Sequence, residues 1–354
     1  MQKTSPSQAS QNPKFGLDLS ILKVGDVLLS ANHTRTSTVI ARATKGHFSH
    51  AMLYVGHSFI HAMPDGVYSK NPQRYIRDEA DHLAAYRIVP GQANPTMIDI
   101  ACDYARGQVG ALYSVPAAAL SKAISKSNKN IQIQSGKQFC SRLVAQAYEN
   151  AGIKLVANAD FCSPNDLARS IQLDRVENAV RELNLSEVEF AESHDFNQFL
   201  QKITFQWLGK ARSLALRRHL GEISTQSDIL PMLVKHPGYD KAVTKYVKAS
   251  GYPDYYDWDR SKNPYRYDVG VFLRHFNHRE SFIEALEWEL PSVMADLKRH
   301  TKNYQAAVAN LQAYGDLEYV QIEFLLAKNL LNEVLQRKKT LINASQAINY
   351  PISI

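Results

Sequence analysis

The chain has 354 residues, 45% hydrophobic and 21% charged, a soluble composition long enough for two domains. Its net charge of +7 is mild and acidic residues interleave with most basic ones, which argues against a nucleic-acid binder and leaves peripheral contact with anionic surfaces or acidic peptides open. Three cysteines cannot make a disulfide framework and no apolar run approaches a membrane span, so a reducing compartment is expected: the cytoplasm, or, as the alternative, export without a signal peptide.

In chain order, residues 1–16 are rich in Ser and Gln and lack an apolar core, so they read as a disordered tail without a secretory signal. Residues 23–29, Lys-Val-Gly-Asp-Val-Leu-Leu, read as a turn entering a buried strand, and Thr36 to Thr44 as a short helix. The run from Gly46 to Gly56 is a loop feeding an apolar strand whose first residue is His50. A second short strand, Ser58 to Ala62, carries His61, and the Gly56-His57 connection makes the two a hairpin. His50 and His61 can meet across it. Farther on, Gln138 to Tyr148 reads as a helix opened by Cys140, with Leu143, Val144, Ala147 and Tyr148 recurring at helical spacing on the stripe that also holds the thiol.

A cysteine at a helix start faces unsatisfied N–H groups and the positive end of the helix dipole, and a nearby imidazole can take its proton. The thiol pKa is therefore expected to fall toward or below neutrality. The plainer reading is a buried structural cysteine, and Cys102 and Cys162, which lack histidine context, keep that reading. The backbone N–H of Cys140 supplies one donor to an oxyanion, and a side chain must supply another.

The ordered set Gly-Asp-strand, Ser-His-strand, strand-His-Ala, Gly-x-x-Tyr-Ser and Phe-Cys-Ser-x-Leu-Val resembles the circularly permuted papain-like hydrolases of the NlpC type, with YiiX-like amidases nearest and the lecithin:retinol acyltransferase group more distant. The resemblance runs over roughly residues 21 to 170. It implies an antiparallel sheet packed on the helix that carries the cysteine. It also implies Cys140 as nucleophile, His50 as general base and then acid, and His61 as the group that orients His50. YiiX-like members often carry an acidic residue where this chain has His61, whereas the acyltransferase group carries histidine. Tyr113, in Gly110-Ala111-Leu112-Tyr113-Ser114, matches the Gly-x-x-Tyr of the family and is the candidate second oxyanion donor; its plainer reading is a core-edge tyrosine.

A zinc set drawn from His47, His50, His57, His61 and Cys140 competes on ligand chemistry, but no Cys-x-x-Cys or His-Glu-x-x-His spacing supports it, so neither metal nor cofactor is expected. Gly-x-Ser-x-Gly, Walker and Gly-x-Gly-x-x-Gly motifs are missing as well.

Ser163-Pro164-Asn165-Asp166-Leu167 reads as the start of a last short helix. Composition changes near residue 172, so the expected organisation is a tail (1–16), a permuted papain-like domain (17–172) and an all-α domain (173–354), an α+β chain overall. In the last part, Phe282, Leu286, Leu290, Val293 and Leu297 step by three or four, with Pro291 expected to kink or restart the helix. Val320, Phe324, Ala327, Leu331 and Val334 repeat the pattern, and Gly315 between them suggests an antiparallel helical hairpin. The loop Gly251 to Asp259, rich in Tyr, Pro and Asp, reads either as a recognition surface or as a cap on the helical domain.

The functional expectation is a thiol hydrolase that cleaves a peptide, isopeptide or amino-acyl amide through an acyl-enzyme on Cys140. The same machinery acting on lipid acyl groups, as thioesterase, phospholipase or acyltransferase, is the alternative. A helical interaction protein with a vestigial papain-like domain is a third reading, against which the intact Cys140, His50 and His61 argue. Ser114 to Leu120 is the apolar stretch nearest the nucleophile in the chain. It is short and flanked by the polar Ser121 to Lys137, which favours a peptide-like substrate over a long-chain lipid.

Overall fold

The computed structural model describes residues 12–31, 46–113, 138–276 and 278–352. The expected helix at Thr36 to Thr44, the stretches Ser114 to Leu120 and Ser121 to Lys137, and most of the expected tail lie outside them. Phe15 and Gly16, assigned from sequence to that tail, instead lie in a strand.

The chain divides into two compact units, Met1–Gln201 and Lys202–Ile354, whereas composition changes near residue 172. The first holds β1 (Phe15–Leu17), β2 (Val27–Ser30), β3 (His50–Tyr54), β4 (Phe59–Met63), β5 (Gly66–Lys70), β6 (Leu83–Ile88), α1 (Pro95–Gly107), α2 (Cys140–Asn150), α3 (Pro164–Ala168), β7 (Leu173–Arg175), β8 (Val180–Glu182) and α4 (Leu185–Glu192). Six strands form one sheet in the order β5-β4-β3-β2-β6-β7, every neighbouring pair antiparallel, and β1 pairs with β8 in a second, two-stranded sheet.

Both faces of the six-stranded sheet are buried, which is why its central strands read as continuous apolar runs. Val27, Leu29, Ala51, Leu53, Ile60 and Ala62 face α1 and α2, meeting Leu143, Val144, Ala147 and Tyr148 of α2, all four fully buried. The alternate residues Leu28, Met52, Tyr54 and Phe59 form a second core with Leu17, Leu22 and Tyr75. The turn before β2 needs its glycine: Gly25 has φ +95, and a Cβ there would lie 2.8 Å from Ile98. The next residue, Asp26, is buried and accepts two hydrogen bonds of 2.7 Å from the Arg87 guanidinium, a bidentate pair that ties β2 to β6.

Outer strand β5 has neighbours on its second side. Val67 N–H donates to Ala111 O and Gly110 N–H to Val67 O, while the Gln201 side chain both accepts from Ser69 N–H and donates to Ser69 O, each at 2.6 Å.

The second unit is helical. α5 (Phe196–Arg218) crosses the division, followed by α6 (Ile229–Lys235), α7 (Asp240–Ser250), α8 (Trp258–Lys262), α9 (Val269–His275), α10 (Arg279–Tyr314) and α11 (Glu318–Ala347). The expected hairpin forms from α10 and α11 around Gly315. Pro291, however, does not restart the helix, because Leu286 before it and Val293 after it are fully buried in one core with Val334 and Leu341 and hold both halves in register. The Tyr-rich loop packs inward in part: Tyr252 lies against the core around Trp207, their ring centroids 5.9 Å apart, and the buried Tyr267 donates its hydroxyl to Asp259. Among the described residues no helix is long and apolar enough to cross a membrane.

Candidate active site

The hairpin of β3 and β4 pairs Leu53 with Ile60 and Tyr54 with Phe59. Extending that register puts His61 opposite Met52, so His50 and His61 are diagonal neighbours on one face, close enough for long side chains to meet. They do meet: His50 Nε2 lies 2.9 Å from His61 Nδ1, with the rings edge to face. Burial, then the positive charges of Arg77 and Lys70, brings the His50 pKa down to about 3. Burial also holds His61 well below the usual histidine range, helped by His50, Lys70 and Arg77. Both rings are therefore neutral near pH 7, so one of the facing nitrogens carries the proton and the other accepts it.

The loop that delivers His50 is clamped from far along the chain. Phe48 N–H donates to Asn165 Oδ1 at 3.0 Å and Asn165 Nδ2 donates to Phe48 O at 2.7 Å, while Ser49 N–H donates to Ser30 O. Gly46 is required here by close approach: a Cβ would sit 2.2 Å from the Asn165 amide carbon. Asn165 lies in the first turn of α3, which Ser163 and Asp166 close with a reciprocal capping box.

Cys140 is the first residue of α2 and is 6% exposed. The N–H of Ala51, the residue after His50, and the Ser141 and Cys140 N–H groups at the helix start favour its thiolate. The sequence expectation of a depressed thiol pKa is reversed: burial pushes the thiol above its ordinary value and outweighs these donors. The nucleophile candidate and the base candidate thus rest as neutral thiol and neutral imidazole. Alkylation of Cys140 by iodoacetamide, followed by peptide mass spectrometry, is accordingly expected to keep accelerating throughout the neutral and mildly alkaline range without a plateau, because only the thiolate reacts. It should still outpace Cys102 and Cys162, which are more deeply buried and whose thiols burial pushes up, Cys102 to about 11. A rate plateau below neutrality would instead show a preformed thiolate–imidazolium pair.

Tyr113 forms a parallel bridge with Gln138, two residues before Cys140, and lies within electrostatic reach of the sulfur; burial, then the charge on Cys140, raises its phenol. Three side chains not singled out in the sequence complete the surroundings. Tyr75 is buried, shares a 2.7 Å hydrogen bond with Ser30 Oγ and accepts at 2.6 Å from Arg77 Nη2, and its phenol also senses Cys140. Ser30 is the register partner of His50, and the Arg77 guanidinium lies 4.2 Å from the Tyr75 ring centroid. The only sequence trace of this group is the i, i+2 spacing of Tyr75 and Arg77. The competing zinc set is not gathered in one place: among the described residues the three-ligand group that forms is His47, Asp81 and His82.

A polar cavity of about 450 Å³ opens beside His61, lined by Tyr68, Ser69, Lys70, Arg74 and Asp195 among others.

Residues 21–166 match the family of permuted papain-like amidase enzymes, YaeF/YiiX, C92. Among solved structures, the chain is similar to the crystal structure of metalloprotein yiiX from Escherichia coli O157:H7, at 16% identity and a TM-score of 0.30 over 44% of this chain and 96% of that one. No curated protein matches. Over residues 21–166, less than half of its length, the chain is similar to the permuted papain-like amidases, and this match supports a hydrolase of the papain-like thiol type.

Proposed function

We propose that the first unit cleaves an amide bond, in a peptide, isopeptide or amino-acyl substrate, through an acyl-enzyme on Cys140. The observation that carries this reading is the 2.9 Å contact between His50 Nε2 and His61 Nδ1, made one residue from Ala51, whose N–H favours the Cys140 thiolate. With His50 Nε2 protonated and donating to His61 Nδ1, His50 Nδ1 keeps its lone pair and serves as base. His50 Nδ1 takes the thiol proton as sulfur attacks the carbonyl carbon. The oxyanion is met by the Cys140 N–H and the Tyr113 hydroxyl. The C–N bond then breaks as His50 returns the proton to the departing amine. Water, deprotonated by His50, attacks the thioester and restores the thiol. Because both partners rest neutral, proton transfer accompanies attack and no standing ion pair is needed.

The polar, charged lining of the cavity beside His61 supports a peptide-like substrate over a long acyl chain, which needs an apolar channel. Three cysteines without disulfides, with one serving as nucleophile, support the cytoplasm as the compartment. Incubation with cell extract followed by intact-mass analysis tests the substrate class: a peptidyl or amino-acyl adduct on Cys140 is expected, and a fatty acyl adduct would replace this reading with the lipid one.

A further inference from the structure

We propose that His47, Asp81 and His82, with Glu79 as fourth donor, form a binding site for a first-row divalent cation, zinc in particular. The site shares no residue with Cys140, His50, His61 and Tyr113, and does not depend on the reaction assigned to them. The donor atoms of His47, Asp81 and His82 all lie within 4.8 Å of one another. His82 Nε2 is 3.3 Å from Glu79 Oε2, and His47 Nε2 is 3.9 Å from Asp81 Oδ2. Around zinc, with metal–ligand bonds of about 2.0–2.1 Å, tetrahedral donors sit roughly 3.3 Å apart. The first pair already has that spacing, and the second reaches it with a shift of under an ångström.

The donors stand on two segments held independently. His82 is buried, and its carbonyl accepts from Ala31 N–H at 2.9 Å beside β2, while His47 stands in the loop that Asn165 clamps. Asp81 and Glu79 are exposed and turn outward from the same short turn, so a cation can reach them. Two carboxylates balance a charge of +2, and two imidazole nitrogens favour zinc over magnesium or calcium, which take oxygen ligands. At present His47 Nε2 lies 2.8 Å from Asp81 O; as donor there it carries a proton, which passes by way of solvent to Nδ1 when the metal–nitrogen bond forms. A bound ion would tie the turn at 79–82 to the loop three residues before His50.

The test uses the full chain, stripped with EDTA, desalted, titrated with zinc chloride by calorimetry and assayed for retained metal by mass spectrometry. One zinc per chain is expected, unchanged in Cys140→Ala and bound at least tenfold more weakly in His47→Ala and in Asp81→Asn. Those two exposed positions carry the test because the buried His82 contributes to folding; circular dichroism checks that both variants fold. Absence of zinc from the wild-type chain, undiminished affinity in both variants, or loss of zinc in Cys140→Ala would each overturn the proposal, the last by moving the ion to the cysteine and its histidines.

Discussion

Replacing Cys140 with alanine is expected to lower turnover of peptidyl and aminoacyl coumarin amides by about 10⁴-fold or more, and His50→Ala to do nearly the same. As the proposed nucleophile and base the two would act as one unit, so the double variant should fall no further than either single one. His61→Gln separates orientation from proton transfer. A glutamine carbonyl can still accept from His50 Nε2, keeping the base in its productive tautomer, so the loss should stay well short of the about 10²–10⁴-fold that a general base contributes. If folded His61→Gln were as inactive as Cys140→Ala, His61 would handle a proton itself. If His50→Ala kept full activity, the base would lie elsewhere, and the 2.9 Å histidine pair would be a structural contact.

The largest effect on stability is expected at Glu289. This carboxylate, on α10, is 5% exposed and accepts from Arg337 Nη2 at 2.9 Å and from Arg266 Nε at 2.7 Å; Arg337 also reaches Asp296 at 3.1 Å. Glu289→Ala removes the central anion and leaves the Arg337 guanidinium buried beside only the more distant Asp296. Breaking one side of a buried pair in this way costs about 3–5 kcal/mol. Denaturant unfolding of the helical unit should register that loss as a lower midpoint with an unchanged slope, whereas a loss below about 1 kcal/mol, the range of exposed pairs, would mean that water already reaches the cluster.

Local pattern made much of the fold legible. The Gly56-His57 connection announced the hairpin that joins His50 to His61, the spacing of Leu143, Val144, Ala147 and Tyr148 announced α2 with Cys140 at its start, and Ser163-Pro164 announced α3. Gly315 between two apolar stripes announced the α10–α11 hairpin. Contacts between residues distant in the chain left no such trace. Asn165 reaches the backbone of Phe48 across 117 positions, and Ser30 and Tyr75 across 45. The sign of the Cys140 shift was also out of reach, because helix-start donors can be counted in a sequence whereas the burial that outweighs them exists only in the packed domain. Pro291 fails to restart the helix for a related reason: its missing N–H is a local cost, and the core on either side of it decides whether the helix continues.

Chain that follows residue 172 covers part of each rim of the six-stranded sheet. At one rim the Gln201 amide imitates a neighbouring strand, satisfying Ser69 N–H and C=O on β5. At the other, β7 covers β6 with three residues and ends in exposed Asp174 and Arg175, charges that discourage further strand addition. A truncation that kept only the segment matching the amidase family would uncover β6 and leave β5 covered only where Gly110 and Ala111 bond Val67. Such a fragment would retain Cys140, His50 and His61 and yet offer a bare β6 edge to its own copies, so aggregation could pass for inactivity.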